Sequence, residues 1–118
     1  MKKSLVISTI LASSIFLVSC AVEPGKKVPK EFEAGQKQYH RVCAGCHGAD
    51  AMGGNNAPSF LQEKFLPKLF SNKKFESTII NGSDSGAMAS QKRKVSDEQT
   101  KQIIKYIRHT QQEAGLTN

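Results

Sequence analysis

Two thiols three residues apart with an imidazole directly after them, Cys43-Ala44-Gly45-Cys46-His47, form the group in this chain whose types and spacing point most directly to a chemistry. Such thiols can add to the two vinyl groups of a haem, and the adjacent imidazole then reaches the iron. Two other uses of a Cys-x-x-Cys pair compete. A redox pair of thioredoxin type wants a strand just before the motif within a βαβ unit, whereas the residues upstream here are helix-like and poor in strand formers. A zinc site wants a further pair of Cys or His ligands, and the spare candidates, His40 and His109, stand in no recognisable ligand spacing. The residues favour one covalently bound haem c, attached through Cys43 and Cys46, with His47 on one side of the iron.

The elements that must hold this motif read as helices. From Pro29 to Tyr39, Phe32, Gln36 and Tyr39 fall at helical spacing. Pro29 suits a first turn, and Glu31 and Glu33 sit near the positive end of the dipole. After His47 the stretch from Gly48 to Pro58 is too rich in Gly and Asn for a regular element and reads as a long loop needing a surface to pack on. Phe60, Leu61, Phe65, Leu66, Leu69 and Phe70 form helix-like clusters broken by Pro67. A further helix is predicted from about Asn72 to Asn81, with Gly82 placed to end it. Ser96-Asp97-Glu98-Gln99 is a capping box, and Ile103, Ile104, Tyr106 and Ile107 follow it at helical spacing. The fold class is all-α.

Composition sets the compartment. At 118 residues and 38% hydrophobic content the chain has room for one domain. Lys2 and Lys3 precede an apolar run from Leu5 to Val18, the charged and hydrophobic parts of an export signal over residues 1–19. The run is shorter than the roughly 20 residues of a spanning helix. Leu17-Val18-Ser19-Cys20 resembles the bacterial lipobox, which implies that Cys20 becomes the acylated first residue of a membrane-anchored lipoprotein on the periplasmic side. Several acyl chains are what stable attachment requires. The chain has three cysteines, so lipid at Cys20 and haem at the other two leaves none over. Residues 20–30 read as a lipidated tether, spanning at most about 35 Å when extended, from which a domain over residues 31–118 stands off the membrane.

Taken together, these residues resemble the class I c-type cytochromes from about Phe32 to Arg108. Gly35, Tyr39 and Cys43 at intervals of four are similar to the family's first helix, whose glycine lets the last helix cross closely, and Tyr106 is similar to the aromatic on that last helix. The resemblance implies three to five helices wrapped around the haem. It implies that Pro58 supplies the carbonyl accepting the ring N–H of His47, a contact that fixes ring orientation and ligand basicity. It also implies that Met88, at the end of Asn81-Gly82-Ser83-Asp84-Ser85-Gly86-Ala87-Met88, is the second axial ligand; where many members place Pro after this Met, Ala89 stands here. Met52, His40 and His109 are the rivals for that position.

With both axial positions filled by protein, the implied function is one-electron transfer rather than catalysis, between extracytoplasmic respiratory redox partners. The alternative is a haem-based sensor or peroxidase-like protein with a displaceable ligand. Without Lys2 and Lys3 the net charge of +7 falls but stays basic, with clusters at Lys26, Lys27 and Lys30, at Lys73 and Lys74, and at Lys92, Arg93 and Lys94. A basic face would steer redox proteins with acidic docking surfaces. Export argues against a nucleic-acid partner.

Overall fold

The computed structural model describes residues 21–116; the export segment and Cys20 lie outside the described residues. Four α-helices follow in order: α1 Lys30–Val42, α2 Ala44–His47, α3 Asn72–Asn81 and α4 Asp97–Glu113. Two 3-10 turns, Ala49–Ala51 and Glu63–Phe65, interrupt the loops. No strand occurs among the described residues.

The first and last helices form the frame. Pro29 opens α1 with φ −55° and no N–H to leave unpaired, and its carbonyl takes the Phe32 N–H at 2.8 Å. Ser96 and Gln99 make the reciprocal capping box that starts α4, its side-chain oxygen on the Gln99 N–H and the Gln99 side chain on the Ser96 N–H. The two helices cross at Gly35, where a Cβ would stand 2.1 Å from the Gln102 carbonyl oxygen and 2.9 Å from Tyr106 Cβ. No side chain fits there, which accounts for a glycine inside a helix that would otherwise gain about 1 kcal/mol from alanine. Tyr39 from α1 and Ile103, Tyr106 and Ile107 from α4 are almost fully buried in the resulting core. α3 adds Phe75 and Ile79. It spans the predicted residues, with Ser71 capping the Lys74 N–H and Gly82 ending it at φ 88°.

The segment from Phe60 to Phe70 differs from its helical expectation. Apart from the turn Glu63–Phe65 it is irregular, and Pro67, which has no N–H to give a helix, lies within it. Its rings lock edge to face instead, Phe60 on Phe65 at 5.2 Å, Phe65 on Phe70 at 5.5 Å and Phe70 on Phe75 at 4.7 Å. The carbonyls left without helical donors are met from α4. Arg108 donates to the Phe65 carbonyl at 2.6 Å and to that of Phe70, bonds Asn72 at 2.8 Å, and lies 4.8 Å over the Phe75 ring.

Residues 21–29 also depart from expectation. They carry no regular element, as a linker should, but they do not stand free. Val22 and Val28 pack against the core, the Gly25 N–H bonds Asp50 Oδ2 at 2.9 Å, and Gln36 Nε2 bonds the Lys26 carbonyl at 2.7 Å. Hydrophobic contact and two long-range hydrogen bonds hold the stretch along α1, so an extended stand-off over these residues is corrected.

Candidate functional site

The Cys-x-x-Cys-His motif is built where α1 turns into α2. The Cys43 N–H still bonds the Tyr39 carbonyl at 2.7 Å, and the His47 N–H bonds the Cys43 carbonyl at 2.9 Å, so helical geometry carries through the motif. Cys43 is buried and Cys46 exposed, with neither in a disulfide. Burial pushes the Cys43 thiol up to about 12, with Cys46 adding and Arg41 and Lys94 opposing. A buried thiol held protonated is a poor nucleophile, since the thiolate is the reactive form.

His47 is buried, and its Nδ1 lies 3.2 Å from the Pro58 carbonyl oxygen. That carbonyl can only accept, so Nδ1 carries the proton and Nε2 keeps its lone pair. Burial lowers the ring's affinity for a second proton, against the opposing pull of the Pro58 carbonyl. The Phe60 ring stacks on the imidazole, with centroids 4.3 Å apart. A neutral, oriented imidazole with a free Nε2 is what a metal ligand requires.

The loop behind this ring is held by tertiary contacts. Gly48 sits at φ 76°, and a Cβ there would lie 1.9 Å from the Gly53 carbonyl oxygen, so the chain closes back on itself only with glycine. The Gly53 N–H bonds the His47 carbonyl at 2.7 Å, and the buried Tyr39 hydroxyl donates to the Gly48 carbonyl at 2.9 Å. Desolvation drives the Tyr39 hydroxyl well above its usual range, which keeps it a donor. Asp50 and Ala51 follow in left-handed backbone at φ 53° and 63°. That conformation costs roughly 1 kcal/mol or more at a residue with a Cβ, and the surrounding bonds hold it: Ala51 accepts from the Phe60 N–H at 2.9 Å and from Ser59 Oγ at 3.0 Å.

Asp50 is the residue that the sequence reading missed. Its buried carboxylate accepts from the Gly25 N–H and, at 3.3 Å, from the Tyr106 hydroxyl, while Oδ1 lies 3.6 Å from His40 Nε2. Its own N–H points at that Nε2 at 3.2 Å, and His40 Nδ1 lies 2.8 Å from the Gln36 carbonyl oxygen. One side chain thus joins the N-terminal segment, α1, the loop after His47 and α4. In sequence it is an ordinary turn former in a Gly-rich loop.

Met88 stands on a different loop, half-buried against the core. Ser83 closes that loop, its N–H on the Met88 carbonyl and its Oγ accepting the Met88 N–H, each at 2.9 Å. The Gln91 N–H then bonds the Ile79 carbonyl at 2.8 Å, which returns the chain to α3. Of the rivals, Met52 is 60% exposed, His40 is committed to Gln36 and Asp50, and His109 stacks on Phe32 at 4.0 Å.

Among the described residues no three His, Cys, Asp or Glu side chains converge as a metal-binding group. The donors present, an oriented imidazole and a thioether in a closed loop, fit a cofactor that brings its own equatorial nitrogens, and the thiols fit its covalent attachment. Residues 30–107 match the family of cytochrome c oxidase, cbb3-type, subunit III. The chain belongs to this family of c-type cytochromes. Its fold is similar to the crystal structure of c-type cytochrome XoxG from Methylobacterium extorquens AM1, at 25% identity and a TM-score of 0.59. The match covers 74% of this chain and 54% of that one, so the chain spans about half the length of XoxG. No curated protein matches it. The chain's described residues form an all-α fold, and its membership of this family implies covalently bound haem c. None of its described helices is long and apolar enough to cross a membrane.

Proposed function

We propose that this cytochrome is a one-electron carrier working outside the cytoplasm, anchored to a membrane through an acylated Cys20. Cys43 and Cys46 would hold the haem through thioether bonds, and His47 and Met88 would be the side chains that ligate its iron. The observation that carries the reading is the Nδ1 contact of buried His47 with the Pro58 carbonyl, because it leaves Nε2 as the ligating atom and fixes the ring's direction.

Haem supplies the one-electron chemistry when bound, changing between ferric and ferrous. The chain's part would be to supply both iron ligands and to resist rearrangement. His47 comes from a helix end locked by Tyr39 and Gly53, and Met88 from the loop that Ser83 closes. A Met ligand opposite His favours the reduced form and raises the potential. Phe60, with Phe65 and Phe75 packed on it and Phe70 on both of those, forms an apolar layer beside the His47 ring, which disfavours the extra charge of the oxidised form.

Partners are redox proteins, and the exposed groups Lys73 and Lys74 and Lys92, Arg93 and Lys94 support ones with acidic docking surfaces. Association rates should then fall steeply as salt rises.

The deciding experiment is the optical spectrum of the haem-loaded protein in both redox states beside Met88→Ala. A low-spin wild type with the weak far-red ferric band of a sulfur–iron bond, lost in the variant, is the expected result. A high-spin wild type, or ready binding of carbon monoxide, would replace the carrier with a sensor or peroxidase-like protein, and Ala89 after Met88 would then be the feature to explain it.

A further inference from the structure

The N-terminal segment has a direction as well as contacts. The Lys26 carbonyl is bonded by Gln36, and the Gly25 N–H by Asp50, which faces His40 one turn further along α1. Read forward, the segment therefore runs antiparallel to α1, and traced back toward residue 21 it heads for the C-terminal end of that helix. Residues 21–24 continue that path and border a cavity of about 670 Å³ shared with Lys37, Arg41, Val42 and Gly45. The chain thus enters the domain beside the end of α1 that carries Cys43 and Cys46.

Only Ala21 separates Cys20 from Val22, which already packs against the core. We propose that residues 21–29 are a strap that seats the cytochrome directly on the lipid surface, with the Cys43–Cys46 end of α1 turned toward the bilayer. The proposal rests on the acylated Cys20 of the preceding reading. Two residues of chain reach about 7 Å, against about 35 Å for a free tether, so the acyl chains cannot enter a bilayer while the domain stands away from it. Charge agrees with a lipid occupant. Of the charged residues bordering the cavity, Lys37 and Arg41 balance Glu23 and Glu33, and the exposed Lys26 and Lys27 of the strap add two cations, which favours anionic headgroups.

The test uses the full, acylated, haem-loaded protein in phosphatidylethanolamine–phosphatidylglycerol vesicles containing a headgroup-spin-labelled lipid. A fluorophore is placed at Lys37→Cys on the strap side or at Lys73→Cys on α3, and quenching is read at each. Quenching at position 37 several-fold above that at position 73 is expected. A Gly/Ser stretch of about ten residues between Ala21 and Val22, with a root-mean-square length of about 17 Å, should remove most of that difference. Mass analysis of the N-terminal peptide reports acylation separately. If Cys20 carries no acyl chain, the anchoring reading fails and takes the seating with it. If Cys20 is acylated and the two positions are quenched equally, the anchor stands but this face is turned to water or to a protein, and the proposal is overturned. A difference that survives the insertion also overturns it, since the strap is then not what orients the domain.

Discussion

The two loops that carry the proposed iron ligands, His47 and Met88, are built on different plans. The loop on the His47 side is tied by side chains and backbone from distant segments: Tyr39 from α1, Tyr106 from α4, Gly25 from the strap and the Pro58 carbonyl all reach the stretch from His47 to Asp50. These contacts are buried or partly buried. The loop bearing Met88 is closed mainly by its own backbone and by Ser83, with an exposed Lys74–Asp84 pair at 2.7 Å on its rim. Contacts from many distant segments make the first loop open only with the domain, whereas bonds made mostly within the second loop allow it to open by itself. The Met side is thus where the potential and ligand access can change without unfolding the protein.

The largest expected effect comes from the frame behind the His47 side. Gly35→Ala forces a Cβ into the Gln102 carbonyl and should cost about 3 kcal/mol in a denaturant melt, with weaker haem incorporation. An unchanged midpoint would mean that α1 and α4 separate freely at their crossing. Asp50→Ala leaves the Tyr106 hydroxyl and the Gly25 N–H without their acceptor and sets alanine at a left-handed φ; we expect a loss of about 2–3 kcal/mol and faster proteolysis of the strap. Asp50→Asn, which keeps an acceptor and tolerates that backbone, should cost less than half as much.

Arg108→Ala should cost about 2 kcal/mol, since two carbonyls of the Phe60–Phe70 segment lose a charged donor. On the Met side, Ser83→Ala should cost under about 1 kcal/mol globally, yet the sulfur–iron band should disappear at a lower temperature than in the wild type. A global loss equal to that of Asp50→Ala would break the contrast between the two loops. The smallest effect is expected at Asp84. Lys74 holds its carboxyl below the usual carboxylate range, so the pair's contribution is present above that range and is lost as pH falls through the lowered value. Because Asp84 is fully exposed, Asp84→Asn should leave the neutral-pH melt unchanged in physiological salt.

Helix periodicity, the capping box at Ser96, the glycine after Asn81 and the Cys-x-x-Cys-His motif are all local patterns, and local backbone chemistry suffices to read them. The all-α class and the haem-binding family follow from those patterns, because covalent attachment writes its requirements into five adjacent residues. The Phe60–Phe70 segment misled for a physical reason: its apolar spacing is compatible with a helix, but aromatic packing on Phe75 and the carbonyl bonds of Arg108 outweigh a propensity that Pro67 already weakens. Asp50 and the strap were hidden for a related reason. A carboxylate in a Gly-rich loop and a Pro-containing linker look solvated until four segments meet around one buried oxygen pair. Sequence by itself therefore determined the cofactor chemistry and the helices, both encoded by near neighbours in the chain. Only the tertiary structure decided which loops are locked and where the N-terminal segment lies, because those depend on contacts between residues as far apart as Gly25 and Asp50 or Asp50 and Tyr106.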